Sequence, residues 1–96
     1  MQVNECFKAL SDPVRREILV VLWKKGRKSA SDIYSHFELT NATVSYHLSL
    51  LQKAELIHEQ KEGKYIYYSL NTSICEEIIL WLKGLKGGNN NEKNKK

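Results

Sequence analysis

The stretch "SASDIYSHFELTNATVSYHLSLLQKAEL", Ser29 to Leu56, leaves the chain few ways to fold. Ile33 and Phe37 lie four residues apart and mark a short helix from about Ala30 to Phe37. Ser29 opens it, with Asp32 in capping-box spacing. Val44, Leu48 and Leu51 recur at spacings of four and three, the apolar stripe of a second amphipathic helix. Thr40 suits its N-cap, and Leu39 and Val44 stand at the positions of a hydrophobic staple. Little more than "ELT" separates the two helical patterns. Two helices joined by so tight a turn, the first of them short, form a helix-turn-helix.

The second helix has an unusual outer face. It carries Asn41, Thr43, Ser45, Tyr46 and Ser49, all uncharged. Solvated helix surfaces favour Glu and Lys, which are good helix formers; Ser, Thr and Asn are poorer ones. Short hydroxyls and amides suit another task. The major groove of B-DNA displays donors and acceptors that such groups can read, at about 1–3 kcal/mol of discrimination per good contact. Long acids on that face would be repelled by phosphate. The competing reading is an ordinary solvated surface.

The rest of the chain supplies the frame. "VNECFKAL" places Val3, Cys6, Phe7 and Leu10 on one face of a first helix, which "SDP" ends. Asp12 can cap a second helix, with Pro13 at its first position, where the missing N–H costs nothing. That helix runs to about Lys24, turns Val14, Ile18, Val21 and Leu22 inward, and closes at Gly26. After Leu56 the period falls to two. "LIHEQKEGKYIYYSL" reads as two strands about Glu62-Gly63-Lys64, with Ile66, Tyr68 and Leu70 toward the core. Asn71 or Thr72 can cap a last helix, about Ser73 to Leu85, whose apolar band is wider than one core-facing stripe requires. The expected fold is mainly α with a small β-hairpin wing, a winged helix-turn-helix.

A chain of 96 residues is one domain with a thin core, and dimerisation would bury more of its apolar surface. The net charge of +4 misleads, because residues 1–82 hold ten basic and ten acidic residues. The excess lies beyond them, in "KGGNNNEKNKK" and the lysine before it. Residues 1–85 are therefore expected to form the DNA-binding and dimerisation domain, and 86–96 a disordered basic tail. Phosphates need positive partners or helix N-termini. Candidates are Thr40, then Arg27, Lys28, Ser29 and Ser31 around the third helix, Lys53 late on the fourth, and Lys61 and Lys64 on the wing. No signal peptide or membrane-length apolar run stands out, so a cytoplasmic protein without membrane insertion is expected. No catalytic set, phosphate loop or metal-ligand cluster stands out either, and no enzyme activity or cofactor is expected.

Three stretches, "FKALSDPVRREIL", "SDIYSHFELTNATVSYHLSLLQKAELI" and "KEGKYIYYSLN", occur in an order and spacing that resembles the ArsR-type bacterial repressors, from Glu5 to about Leu82. Within that family the chain is most similar to the small autorepressors of the SdpR type. The resemblance implies a homodimeric transcriptional repressor on double-stranded DNA at a palindromic operator, with the fourth helix in the major groove. Together with the apolar excess it implies a dimer through the terminal helices, burying Val3, Phe7, Ile74, Ile78, Trp81 and Leu82. His47 falls in the family's "SxHLxxL" pattern and is expected to be structural rather than a metal ligand. The family's usual metal positions are unfilled: "SASDIYSHFEL" has no Cys-x-Cys and "NTSICEEIILWL" no Asp-x-His. Arg16 is assigned to the arginine of the family's "DPxRxxIL" pattern and is expected to pair with Glu17 or Asp12. The chain departs from the family at "AEL", where a glycine is common: Glu55 occupies a turn that favours a left-handed backbone. Three alternatives stay open: a winged-helix protein-interaction module, a metal or thiol sensor built on Cys6 and Cys75, and control by a regulatory protein or small effector.

Overall fold

A computed structural model describes residues 3–87. The chain runs α1 (Val3–Leu10), α2 (Pro13–Lys25), β1 (Lys28–Ser29), α3 (Ala30–Ser35), α4 (Asn41–Lys53), β2 (Ile57–Glu62), β3 (Tyr65–Leu70) and α5 (Thr72–Gly87). Each early boundary has a local cause. The Asp12 carboxylate accepts from the backbone N–H groups of Val14 and Arg15 and caps α2 ahead of Pro13. Ser29 Oγ accepts from the Asp32 N–H and caps α3. Thr40 Oγ1 accepts from the Thr43 N–H and caps α4. Gly26 ends α2 with φ 79°, a backbone that residues with a Cβ rarely adopt.

The core forms where α1, α2, α3 and α4 meet the sheet. Ile18, Ile33, Val44, Leu48, Leu51 and Leu56 are almost wholly enclosed, with Cys6 beside them. Burying a side chain of that size contributes about 1.5–3 kcal/mol. The Val44, Leu48 and Leu51 stripe thus lies where its spacing puts it, on the inner side of α4.

The sheet has one strand more than the alternation indicates. Beside the expected hairpin, Lys28 and Ser29 pair antiparallel with Tyr68 and Tyr67, in the order β1-β3-β2. A two-residue strand leaves no periodicity to detect. In the hairpin Glu62 pairs with Tyr65, so the turn is Gly63 and Lys64. Gly63 takes φ 61° at the first turn position, where two-residue hairpins favour glycine. Of the side chains expected to face inward, Tyr68 is buried, while Ile66 and Leu70 are half-buried against the core. The third helix stops at Ser35, short of Phe37, so the connection to α4 is five residues, His36 to Thr40. The His36 and Phe37 N–H groups bond back to Ile33 and Tyr34 and tighten that turn.

Glu55 takes the left-handed conformation, φ 64°. The left-handed turn is therefore made without a glycine. Asn71 holds this corner, its Nδ2 donating to Glu55 O at 2.9 Å and its N–H to Leu56 O at 3.0 Å. Asn71 Oδ1 in turn accepts from the Ile74 N–H at the start of α5. Helix α5 continues through Gly87, two residues past the expected domain end; the expected tail from residue 88 lies outside the described residues.

Candidate nucleic-acid interface

Thr40, Asn41, Thr43, Ser45, Tyr46 and Ser49 are all exposed on α4 and at its start. No acid occurs between Leu39 and Ala54. The helix therefore offers its positive N-terminal end and a neutral polar face to a polyanion.

Hydrogen bonding divides the face in a way that spacing could not. Thr43 and Thr40 bond to each other through their hydroxyls at 2.8 Å, besides the cap itself. The Ser49 hydroxyl donates to Tyr46 O at 2.6 Å. These groups hold the helix. The side chains of Asn41 and Ser45 and the Tyr46 hydroxyl have no hydrogen-bond partner among the described residues. They are the groups free to bond outward, and Tyr46 projects furthest, at 58% exposed.

The basic candidates separate too. Lys53, Lys61 and Lys64 are exposed at the end of α4 and on the wing, and Lys64 lies 5.8 Å from the Tyr65 ring centroid. Ser31 is exposed on α3. Ser29 and Lys28 are half-buried in β1, with Ser29 engaged as a cap, so their freedom to reach a phosphate is reduced. Arg27 has a different task. Its Nη2 meets Glu62 Oε2 at 2.7 Å and its guanidinium lies over the Tyr67 ring at 4.0 Å. It neutralises an acid on the wing and braces the wing against β1. At the base of the wing the Tyr68 phenol is pushed up to about 12 by burial, by Glu59 and Tyr34, and by its hydrogen bond to Glu59. It stays protonated under ordinary conditions.

Behind the outer face of α4 lies a polar cluster. His47 is buried, and its Nδ1 is 3.0 Å from Arg15 Nη1. Burial would raise the Asp12 carboxyl, but the Arg15 and Val14 amides, His47 and the Arg15 guanidinium together hold it below its ordinary value. The expectation for Arg16 is overturned. Counted from Asp12, the "DPxRxxIL" arginine is Arg15, which is buried. Arg16 is exposed and donates to Leu10 O at 2.8 Å, capping the end of α1 instead of pairing with Glu17 or Asp12. Glu17 pairs with His36, at 3.0 Å.

At the far side, α1 meets α5 through Phe7 and Trp81, with ring centroids 5.5 Å apart. Phe7, Ile79, Leu80, Trp81, Leu82 and Leu85 are exposed. Val3 and Ile78 are half-buried, but Ile74 is 6% exposed and belongs to the chain's own core. Its place in the expected dimer set is corrected accordingly: a side chain already enclosed by its own chain has little surface left to give. The two cysteines are free. The Cys6 thiol is buried, donates to Ala54 O at 3.6 Å and is pushed up by burial, the opposite of what activates a cysteine. No cluster of three or more His, Cys, Asp and Glu among the described residues could hold a metal ion. No described helix is long and apolar enough to cross a membrane.

Comparison with known proteins agrees with this geometry. A helix-turn-helix domain family matches residues 10–60. The chain is 45% identical over 80 residues to the transcriptional repressor SdpR of Bacillus subtilis, covering 83% of this chain and 88% of SdpR. The chain belongs to the ArsR-type helix-turn-helix repressor family. A cadmium resistance regulatory protein, a CadC homolog of Staphylococcus aureus, is 38% identical over 82% of this chain and 65% of its own length. An ArsR-like transcriptional regulator from Rhodococcus superposes with TM-score 0.79 at 27% identity, covering 88% of this chain and 79% of that one. The ArsR-type fold thus extends over nearly all of the described residues.

Proposed function

We propose that this chain is a cytoplasmic, homodimeric transcriptional repressor. It binds a palindromic operator and blocks transcription by occupying it. The observation that carries this reading is the acid-free α4 face, on which Asn41, Ser45 and Tyr46 keep their hydrogen-bonding groups free. The N-terminal end of α4, which Thr40 caps, and Ser31, Lys53, Lys61 and Lys64 around it meet the phosphates. Thr43, Ser49 and Ser29 shape the surface more than they contact DNA, because their hydroxyls are already engaged.

The dimer rests on Phe7 and Trp81 in contact, with Leu82 and Leu85 exposed one and four residues further along α5. Exposed large apolar side chains gathered on one element often mark an interaction surface. Pairing through α1 and α5 would set the two α4 helices against successive major grooves, about 34 Å apart. The proposed activity uses no cofactor and no catalytic chemistry.

A gel shift on the DNA upstream of the chain's own gene tests the reading. A shift at low salt that outlasts competition by random duplex is expected. No shift at low salt would favour a protein-interaction module, consistent with the neutral charge of residues 1–82. Unchanged affinity with zinc, with chelator and with oxidant is expected, and would remove the metal or thiol sensor.

A further inference from the structure

Among the described residues the buried polar or charged side chains are Arg15 and His47, and neither lies on the reading face. Arg15 joins three helices. From α2 its Nε donates to Ala9 O at 2.7 Å and its Nη2 to Lys8 O at 3.2 Å. Both are carbonyls of the last turn of α1, which have no partner within that helix. Its Nη1 bonds to His47 Nδ1 on α4, 32 residues away. A guanidinium can only donate, so Nδ1 accepts and the ring hydrogen sits on Nε2. Asp12 Oδ1 lies 4.0 Å from the same nitrogen, beyond hydrogen-bond range.

We propose that Arg15 is a positioning residue for DNA reading: through His47 it fixes the rotation of α4 relative to α1, and the link holds only while His47 Nδ1 is free to accept. This rests on the DNA-binding reading above. The Val44, Leu48 and Leu51 stripe keeps α4 on the core, but apolar contact is non-directional and permits small rotations. The Arg15 bond is directional. His47 follows Tyr46 in the chain, with the two rings 5.6 Å apart, so a rotation that moves one re-aims the other. The same arginine grips the end of α1, whose Phe7 packs on Trp81. The link therefore joins the surface proposed for dimerisation to the helix proposed for reading.

The link is also sensitive to protons. A second proton on His47 turns Nδ1 into a donor, breaks the bond and sets two cations face to face. The groups around His47 are Arg15 on α2, Asp12 at the cap of α2 and the Tyr46 ring; Glu5 and Lys8 of α1 line the depression over Arg15. Of these, Asp12 is the carboxylate nearest the new N–H, and the broken Arg15 bond no longer fixes α4.

The experiment measures affinity for the upstream duplex and for random duplex by fluorescence anisotropy, at about pH 8 and about pH 5.5. The unaltered chain should lose about tenfold in its specific-over-random ratio at the lower pH, the worth of one charge-assisted hydrogen bond. His47→Asn should abolish that loss, because its Oδ1 accepts in place of Nδ1 and takes no proton. His36→Asn should keep it. Arg15→Lys should lose a similar factor at about pH 8 with sedimentation unchanged, since an ammonium cannot span three acceptors as a planar fork does. The same pH loss in His47→Asn as in the unaltered chain overturns the proposal. So does an Arg15→Lys variant that binds as tightly as the unaltered chain; if that variant does not fold, the His47→Asn profile decides alone. If the unaltered chain binds at neither pH, the DNA-binding reading fails and takes this one with it.

Discussion

Helices α4 and α5 are both amphipathic, and a single chain completes only one of them. In α4 the apolar residues Val44, Leu48 and Leu51 are enclosed, and the outer side is finished in hydroxyls and amides. In α5 Ile74 alone is buried, and Ile79, Leu80, Trp81, Leu82 and Leu85 stay exposed. The difference teaches where each helix finds its partner. The outer face of α4 needs a polar partner with donors and acceptors. The outer face of α5 calls for an apolar one, which in the proposed dimer is a second copy of α1 and α5.

The largest expected effect attacks α5. Leu82→Glu should shift sedimentation at tens of micromolar from dimer to monomer and cut operator affinity about 100-fold or more, as the second half-site is lost. A Leu82→Glu chain that remains dimeric would move the interface away from α5. Next comes the face of α4. Tyr46→Ala and Ser45→Ala should each cost about 1–3 kcal/mol of specific binding and leave the dimer intact. Equal losses on random DNA would mean that this face does not read bases.

Smaller effects test the cap of α2 and the turn that follows α4. Asp12→Ala should cost about 1 kcal/mol of stability at neutral pH through the lost cap, measured by urea unfolding. The folded Asp12 carboxyl titrates below its ordinary value of 3.8, so its contribution is present above that pH and fades as pH falls through the folded value. The gap between Asp12→Ala and the unaltered chain should close accordingly. Glu55→Gly should raise stability by about 0.5–1 kcal/mol, because glycine adopts φ 64° without the Cβ penalty. The smallest effect belongs to the wing: Lys64→Ala should weaken all duplexes alike and lower the salt slope by about one unit.

Much of this was legible before the structure. Capping residues and apolar spacing placed five helices and a hairpin, since both signals act within a turn or two of the chain. The α4 face stood out by composition. What escaped has physical reasons as well. The Lys28–Ser29 strand is too short for a period and exists because β3 lies beside it. Arg15 and Arg16 are adjacent and chemically identical; counting from Asp12 gives Arg15 the pattern's position, and burial shows what that position does. Arg27 looked like a phosphate contact until Glu62 stood 2.7 Å from it.

The order of amino acids by itself determined the helix-turn-helix, the uncharged outer face of α4 and the apolar excess of the last helix. Each follows from periodicity and side-chain chemistry over short stretches. Tertiary structure decided which hydroxyls on that face are free, which arginine is buried, and that Ile74 serves the core rather than a partner. It also carried Arg15 to His47, and Cys6 to the end of α4, across 32 and 48 residues of chain. Those choices depend on packing between segments far apart in sequence, which no local pattern encodes.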